Sequence, residues 1–247
     1  MTRLSYSKLS DFETCPRKFW LTYIKKVPFI SNKYLIMGRR IHEILHTSTK
    51  KKDWRSYLMN HPQKGKYGLM INNYIEYQDN VIEIAGPDTL THAEVKLRDE
   101  EIDLTGVIDR IDKFNGKVLI TDYKSDSKIS RTKHDRQLLI YSHLYNKKYE
   151  DKITHMAPLF LKNEAKIKSK IVTQEKIDEA MKWVIELKKD IESRGLDGVN
   201  FPPKINKFCA WCSHCESRLC MEGHTAVHEG PKITEVTTTI NFAGLKP

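Results

Sequence analysis

The chain has 247 residues, enough for one compact domain or one domain with an accessory lobe. It contains no run of 18 apolar residues, so no membrane span is expected, and Met1 to Ser7 lacks the apolar core of a signal peptide, which predicts an intracellular, cytoplasmic protein. A net charge of +10 suits a partner carrying phosphates, and five cysteines, four of them between 209 and 220, suggest metal binding rather than disulfides in a reducing compartment.

Residues 5 to 25 read as helical, with Leu9, Phe12, Phe19, Trp20 and Ile24 broadly on one side. Pro16 interrupts this run but is tolerated in the first turn of a second helix, leaving Cys15 at its mouth. Gly38 to His46 opens a further helix. Within it, His42-Glu43-x-x-His46 is formally the zinc-protease pattern, two histidines one turn apart with a glutamate base, although nothing downstream announces a third ligand. Residues 50 to 85 read as a polar, lysine-rich connection followed by a helix from about Tyr67 to Tyr77. Gly86-Pro87 breaks the chain before a strand over Thr91 to Leu97, which carries Glu94.

Residues 103 to 124 organise the rest. Two runs rich in β-branched and apolar residues flank Asn115-Gly116, the strongest short hairpin signal. A two-residue turn there sets Phe114 against Lys117 and, counting outward, Asp109 opposite Asp122, with Lys124 on the face of Asp122. Like charges placed opposite each other on a sheet repel. A divalent cation, Mg²⁺ or Mn²⁺, resolves that conflict through hard oxygen ligands, and a lysine beside it can orient or deprotonate a water or steady charge on a phosphate.

After the hairpin comes a polar segment, Ser125 to Arg136, with Lys128, Arg131, Lys133 and Arg136. An amphipathic helix over His134 to Lys147 places Gln137 and Tyr141 on one face. Residues 153 to 161 suggest a strand that Pro158 confines to an edge or a bulge. Thr173 to Arg194 is the clearest helix, capped by Thr173 and ended by Gly195, with a core-facing stripe of Ile177, Met181, Val184, Leu187 and Ile191. Four thiols then follow at Cys209, Cys212, Cys215 and Cys220, a set that suits zinc as well as an iron–sulfur cluster. The final residues are polar apart from a short Val236 to Phe242 run.

Gly-Val-Ile-Asp109-Arg-Ile-Asp followed by Ile-Thr-Asp122-Tyr123-Lys124 resembles the PD-(D/E)XK nuclease superfamily, with Ile108-Asp109 in place of Pro-Asp. The opening Ser5 to Phe19, the Gly38-x-x-x-His42 segment and Gln137-Leu138-x-x-Tyr141 are similar to motifs of its RecB-type branch, which includes the CRISPR-associated adaptation exonucleases. The resemblance runs from about residue 4 to 222 as separated motifs in the right order. It implies an α/β fold, a mixed central sheet flanked by helices, and a cysteine-rich iron–sulfur lobe joining the N- and C-terminal segments. The expected division is a nuclease core over 1 to 200, the lobe over 201 to 224 and a tail over 225 to 247.

For the site, the resemblance implies Mg²⁺ or Mn²⁺ on His42, Asp109, Asp122 and the Tyr123 carbonyl, with Glu94 as a further metal or water ligand. Lys124 would be the catalytic lysine, and Gln137 and Tyr141 would lie along the path of DNA. It implies a [4Fe–4S] cluster on Cys15, Cys209, Cys212 and Cys220. Cys215 departs from the pattern, so that four late cysteines are an alternative set. DNA ends or single strands are the implied substrate, and a helicase or recombination protein the implied partner. Two rival readings stay open from the residues alone: a zinc metalloprotease through His42-Glu43-x-x-His46, and a non-catalytic DNA-binding protein.

Overall fold

The computed structural model describes residues 3–28, 33–86, 89–125, 131–163 and 168–228. Strand β1 (Leu4–Ser5) leads into α1 (Tyr6–Thr14), capped by the Ser5 hydroxyl, which accepts the Lys8 N–H. Pro16 occupies the first turn of α2 (Pro16–Phe19), where its missing N–H costs nothing, and a π-helical turn (Trp20–Ile24) follows. Helix α3 (Lys33–Thr49) begins before Gly38 rather than at it. The stretch read as a connection contains α4 (Trp54–Met59), capped by Asp53, and α5 (Lys64–Ala85), eleven residues longer than its Tyr67–Tyr77 pattern suggested. The extra turns of α5 bury Gln78 and Val81, and this packing carries the helix past polar positions that carry little apolar signal.

Then come β2 (Leu90–Asp99), β3 (Leu104–Phe114) and β4 (Lys117–Lys124). The β3–β4 turn is as expected: Phe114 pairs with Lys117, and Asn115 (φ 47°) and Gly116 (φ 69°) both take the left-handed conformation of a type I′ hairpin. Helix α6 (Arg131–Lys148) crosses back to β5 (His155–Phe160), which pairs parallel to β4, and the two-residue β6 (Lys170–Ile171) closes the edge. Pro158 sits where β6 has already ended, the edge position its missing N–H requires. Helix α7 (Gln174–Ser193) is capped by Thr173 and followed by Gly195 at φ 67°. The short α8 (Ser213–Glu216) and α9 (Met221–His228) finish the described chain; residues 229–247, including the Val236–Phe242 run, lie outside it.

The sheet is mixed, in the order β1-β3-β4-β5-β6, with β2 antiparallel along the other side of β3. One face packs against α1, α6 and α7 through Leu9, Ile111, Ile120, Leu138, Leu144 and Val184. The other face meets α3, α4 and α5 through Ile41, Leu45, Ile71 and Tyr74, closing on Tyr123 and Leu159. This is the expected arrangement of a mixed central sheet flanked by helices. Among the described residues no helix is long and apolar enough to cross a membrane.

The pleat of β3 changes phase in the middle. Ile108 and Ile111 both enter the α6-side core, although three residues apart should face opposite ways, while Arg110 and Asp112 turn to the α5 side. The break falls at Asp109. Across from it, Glu94 adopts φ 53°, a left-handed conformation that costs a non-glycine residue about 1 kcal/mol or more. Pairing on the other side also stops there, at Arg110 with Thr121.

Candidate active site

Beyond the last β3–β4 pair, Asp109 departs from the regular ladder, while Asp122 keeps its place opposite Pro158 on β5. Asp109 Oδ2 accepts the backbone N–H of Tyr123 at 2.7 Å, in place of the ladder bond that a strand carbonyl would make. Its Oδ1 lies 3.2 Å from His42 Nδ1, and the other ring nitrogen of His42 donates to the Tyr123 carbonyl at 3.0 Å. The imidazole therefore bridges a carboxylate and a carbonyl. Burial alone would push its pKa down, but the hydrogen bond and charge of Asp109, aided by Asp122, outweigh that and raise it to about 9.

Glu94 completes a three-residue group: ligand atoms from His42, Glu94 and Asp109 all lie within 4.8 Å of one another. Asp122 adjoins this group but is held differently. Its Oδ2 is 2.5 Å from Lys124 Nζ, and Gln137 Nε2 donates to its Oδ1 at 3.0 Å. Gln137 also accepts from Lys124 Nζ at 2.8 Å and donates to the Tyr141 hydroxyl at 2.9 Å. One amide on α6 thus fixes both members of the Asp122–Lys124 pair. Burial raises the pKa of Asp122; Lys124 opposes this and Asp109 adds to it. A buried carboxylate whose charge is only partly compensated, next to an imidazole and two further carboxylates, is a donor set of hard nitrogen and oxygen that suits a divalent cation such as Mg²⁺ or Mn²⁺.

Behind the site, Arg110 and Asp112 form a doubly hydrogen-bonded ion pair, both contacts 2.7 Å, with side chains 2% and 0% exposed. Arg110 donates to the Tyr74 hydroxyl and lies over the Tyr77 ring, while Tyr77 bonds Thr121. The sequence reading gave these two residues no role. Their signal was present: opposite charges two apart on a strand share a face.

In front, a cleft of about 1020 Å³ is lined by His42, Glu43, His46, Glu94, Lys96 and Lys162 and by the first turns of α3. His46 thus shares the cleft with His42, but it is not in the ligand group, and Glu43 is drawn to Arg40 at 2.8 Å. The His42–Asp109 contact ties the histidine to the hairpin, the feature that a protease reading left unexplained.

The cysteines gather elsewhere. Cys15, Cys209, Cys212, Cys215 and Cys220 all line one cavity of about 260 Å³. Backbone N–H groups point at three of the sulfurs: Lys204 toward Cys15 at 3.4 Å, Asn206 toward Cys209 at 3.5 Å, and Gly223 toward Cys220. Gly223 packs so closely that a Cβ there would stand 2.4 Å from Cys215 Sγ and 3.3 Å from Cys220 Sγ. Burial and the neighbouring thiols push the Cys215 thiol well up. Phe201, which precedes these cysteines, is buried in the main core against Phe12 and Phe19.

With this geometry in place, comparison with known proteins defines the class. Residues 3–220 match the family model of the PD-(D/E)XK nuclease superfamily, and the chain belongs to that superfamily. A similar solved structure is the crystal structure of a candidate exonuclease from Eubacterium rectale, 14% identical, with a TM-score of 0.53 over 85% of this chain and 86% of that one. At that identity the likeness is one of fold. No curated protein matches.

Proposed function

We propose that the chain is a metal-dependent DNA nuclease of the RecB-like branch, an exonuclease acting on DNA ends or single strands. The observation that carries this reading is the convergence of His42, Glu94 and Asp109 beside the Asp122–Lys124–Gln137 network on the open side of the hairpin. His42, Glu94, Asp109 and the Tyr123 carbonyl, with Asp122 adjoining, would hold Mg²⁺ or Mn²⁺. When bound, that ion polarises the scissile phosphate and makes water a better nucleophile at neutral pH. Lys124 is fixed against these carboxylates by a hydrogen bond to α6, and it positions the attacking water and steadies negative charge on the phosphate. Gln137 keeps Lys124 and Asp122 in register, and Tyr141 keeps Gln137 in place.

The same reading assigns an iron–sulfur cluster to Cys15, Cys209, Cys212 and Cys220. It is supported by the N–H groups aimed at Cys15, Cys209 and Cys220, the kind of hydrogen bond that tunes sulfur ligands. A recombination or helicase partner remains part of the proposal.

End-labelled single- and double-stranded DNA incubated with Mg²⁺ or Mn²⁺ tests the activity. Stepwise shortening from an end, abolished by EDTA and by Asp122→Ala, is expected. Intact DNA with both metals, or cleavage that survives Asp122→Ala, overturns the assignment.

A further inference from the structure

We infer that the cleft in front of the metal-ligand group is built for an unpaired nucleic-acid strand, with Arg39, Lys96 and Lys162 holding phosphates and Tyr34 stacking on a base. This deepens the nuclease reading and rests on it.

Three observations lead here. First, Arg39, Lys96 and Lys162 line the same cleft as His42 and Glu94, and among the described residues none of their side chains takes part in an ion pair or hydrogen bond. Their neighbours in sequence behave otherwise: Arg40 is bound to Glu43 at 2.8 Å, and Arg98 to Glu100 at 2.6 Å. The three cations that face the cleft have no carboxylate of their own, which leaves them able to bind an external anion. Second, they come from three different elements. Arg39 is on α3, Lys96 on β2 two residues from Glu94, and Lys162 just beyond β5, so they surround the site rather than form a stripe along one helix. A polyanion threading the cleft would meet them in succession.

Third, Tyr34, in the first turn of α3, lines the cleft and is 58% exposed, beside Leu35 at 48%. Lys33 Nζ lies 5.3 Å from the centre of the Tyr34 ring. An aromatic face among cations is the arrangement that binds single strands, because any unpaired base can stack on it while backbone phosphates meet the lysines and arginines. A paired base inside a duplex already has stacked neighbours and gains nothing from the ring.

The test measures binding, with Ca²⁺ in place of Mg²⁺, of a fluorescein-labelled 12-nucleotide oligo-dT and of a blunt duplex of the same length. Tyr34→Ala should weaken the single strand by about 5- to 100-fold and leave the duplex unchanged, whereas Tyr34→Phe should bind as the parent does. Arg39→Gln, Lys96→Gln and Lys162→Gln should each reduce the slope of log affinity against log salt by about 0.7 for the single strand. Melting temperatures matching the parent would show that the fold is kept; these side chains face the cleft rather than the core. Parent-like affinity of Tyr34→Ala, equal loss on duplex, or unchanged salt slopes in all three cation variants overturns the inference. Cleavage by the parent together with any of those results rejects the strand site alone. Tyr34-dependent binding by a parent that cleaves nothing rejects the nuclease reading and leaves the strand site standing.

Discussion

The carboxylate of Asp109 accepts the backbone N–H of Tyr123 at 2.7 Å, so one side chain both ends the ladder between β3 and β4 and aims the Tyr123 carbonyl at His42. Replacing Asp109 therefore removes a charge and frees a backbone group. Asp109→Asn keeps an acceptor for that N–H and should fold with near-parent stability, yet lose cleavage by at least about 100-fold, as expected when a preorganised charge is deleted. Cleavage assayed beside thermal melts checks this. Lys124→Ala should show the same loss, and Gln137→Ala a smaller one, about 10- to 100-fold, since it acts through its neighbours.

The bridging imidazole predicts a pH dependence in EDTA-treated protein. The folded pKa of His42, about 9, lies above the unfolded value near 6.5. Its stabilising contribution is then full below about pH 6.5 and is lost as pH rises through 9, and a shift of this size is worth at most about 3 kcal/mol. Relative to His42→Ala, the parent should have a higher Tm at pH 6 and lose that advantage by pH 10. Because a metal must displace the proton, Mn²⁺ affinity should rise over the same interval. A Tm difference independent of pH would contradict the bridge.

Arg110 and Asp112 predict an asymmetry. Arg110→Ala strands a buried carboxylate and should cost about 3–5 kcal/mol, whereas the double replacement Arg110→Met with Asp112→Leu should cost much less. Urea unfolding of the two variants compares them directly.

Anaerobically purified protein should be brown, and Ser at Cys15, Cys209, Cys212 or Cys220 should bleach it, while Cys215→Ser keeps the colour. Gly223→Ala is the sharper probe. It removes no ligand, yet its Cβ would press on Cys215 and Cys220, so it should lower iron content and Tm together. Iron per chain and visible absorption are the readouts; a colourless protein with one zinc would reject the iron–sulfur assignment.

Much of this arrangement was legible in the residues, and the exceptions have physical causes. Asn115-Gly116 sets a register through turn chemistry alone, so the placing of Asp109 beside Asp122 followed without tertiary information. Gln137 and Tyr141 met the site because a four-residue helical spacing is local. The phase break at Asp109 and the left-handed Glu94 were not foreseeable, since strand alternation assumes a regular pleat. Helix α4 was missed and α5 was read too short because tertiary burial of Leu58, Gln78 and Val81, rather than periodicity, sustains the missing turns. The cleft cations were scattered over three elements, and only the fold brings them to one opening.

The N-terminal helices are fastened to the end of the described chain by contacts that need no metal. Trp20 donates to the Leu196 carbonyl, Thr22 bonds His214, and the amide of Asn206 bonds the Thr14 carbonyl. The N–H that meets Cys15 comes from a residue 189 positions later. On a translating ribosome, adding that many residues takes about 10–40 s. For that interval Phe12, Phe19 and Leu21, all buried at the finish, have no Phe201 or cysteine lobe to cover them. These helices are thus made well before the residues that secure them, and their burial waits on the far end of the described chain.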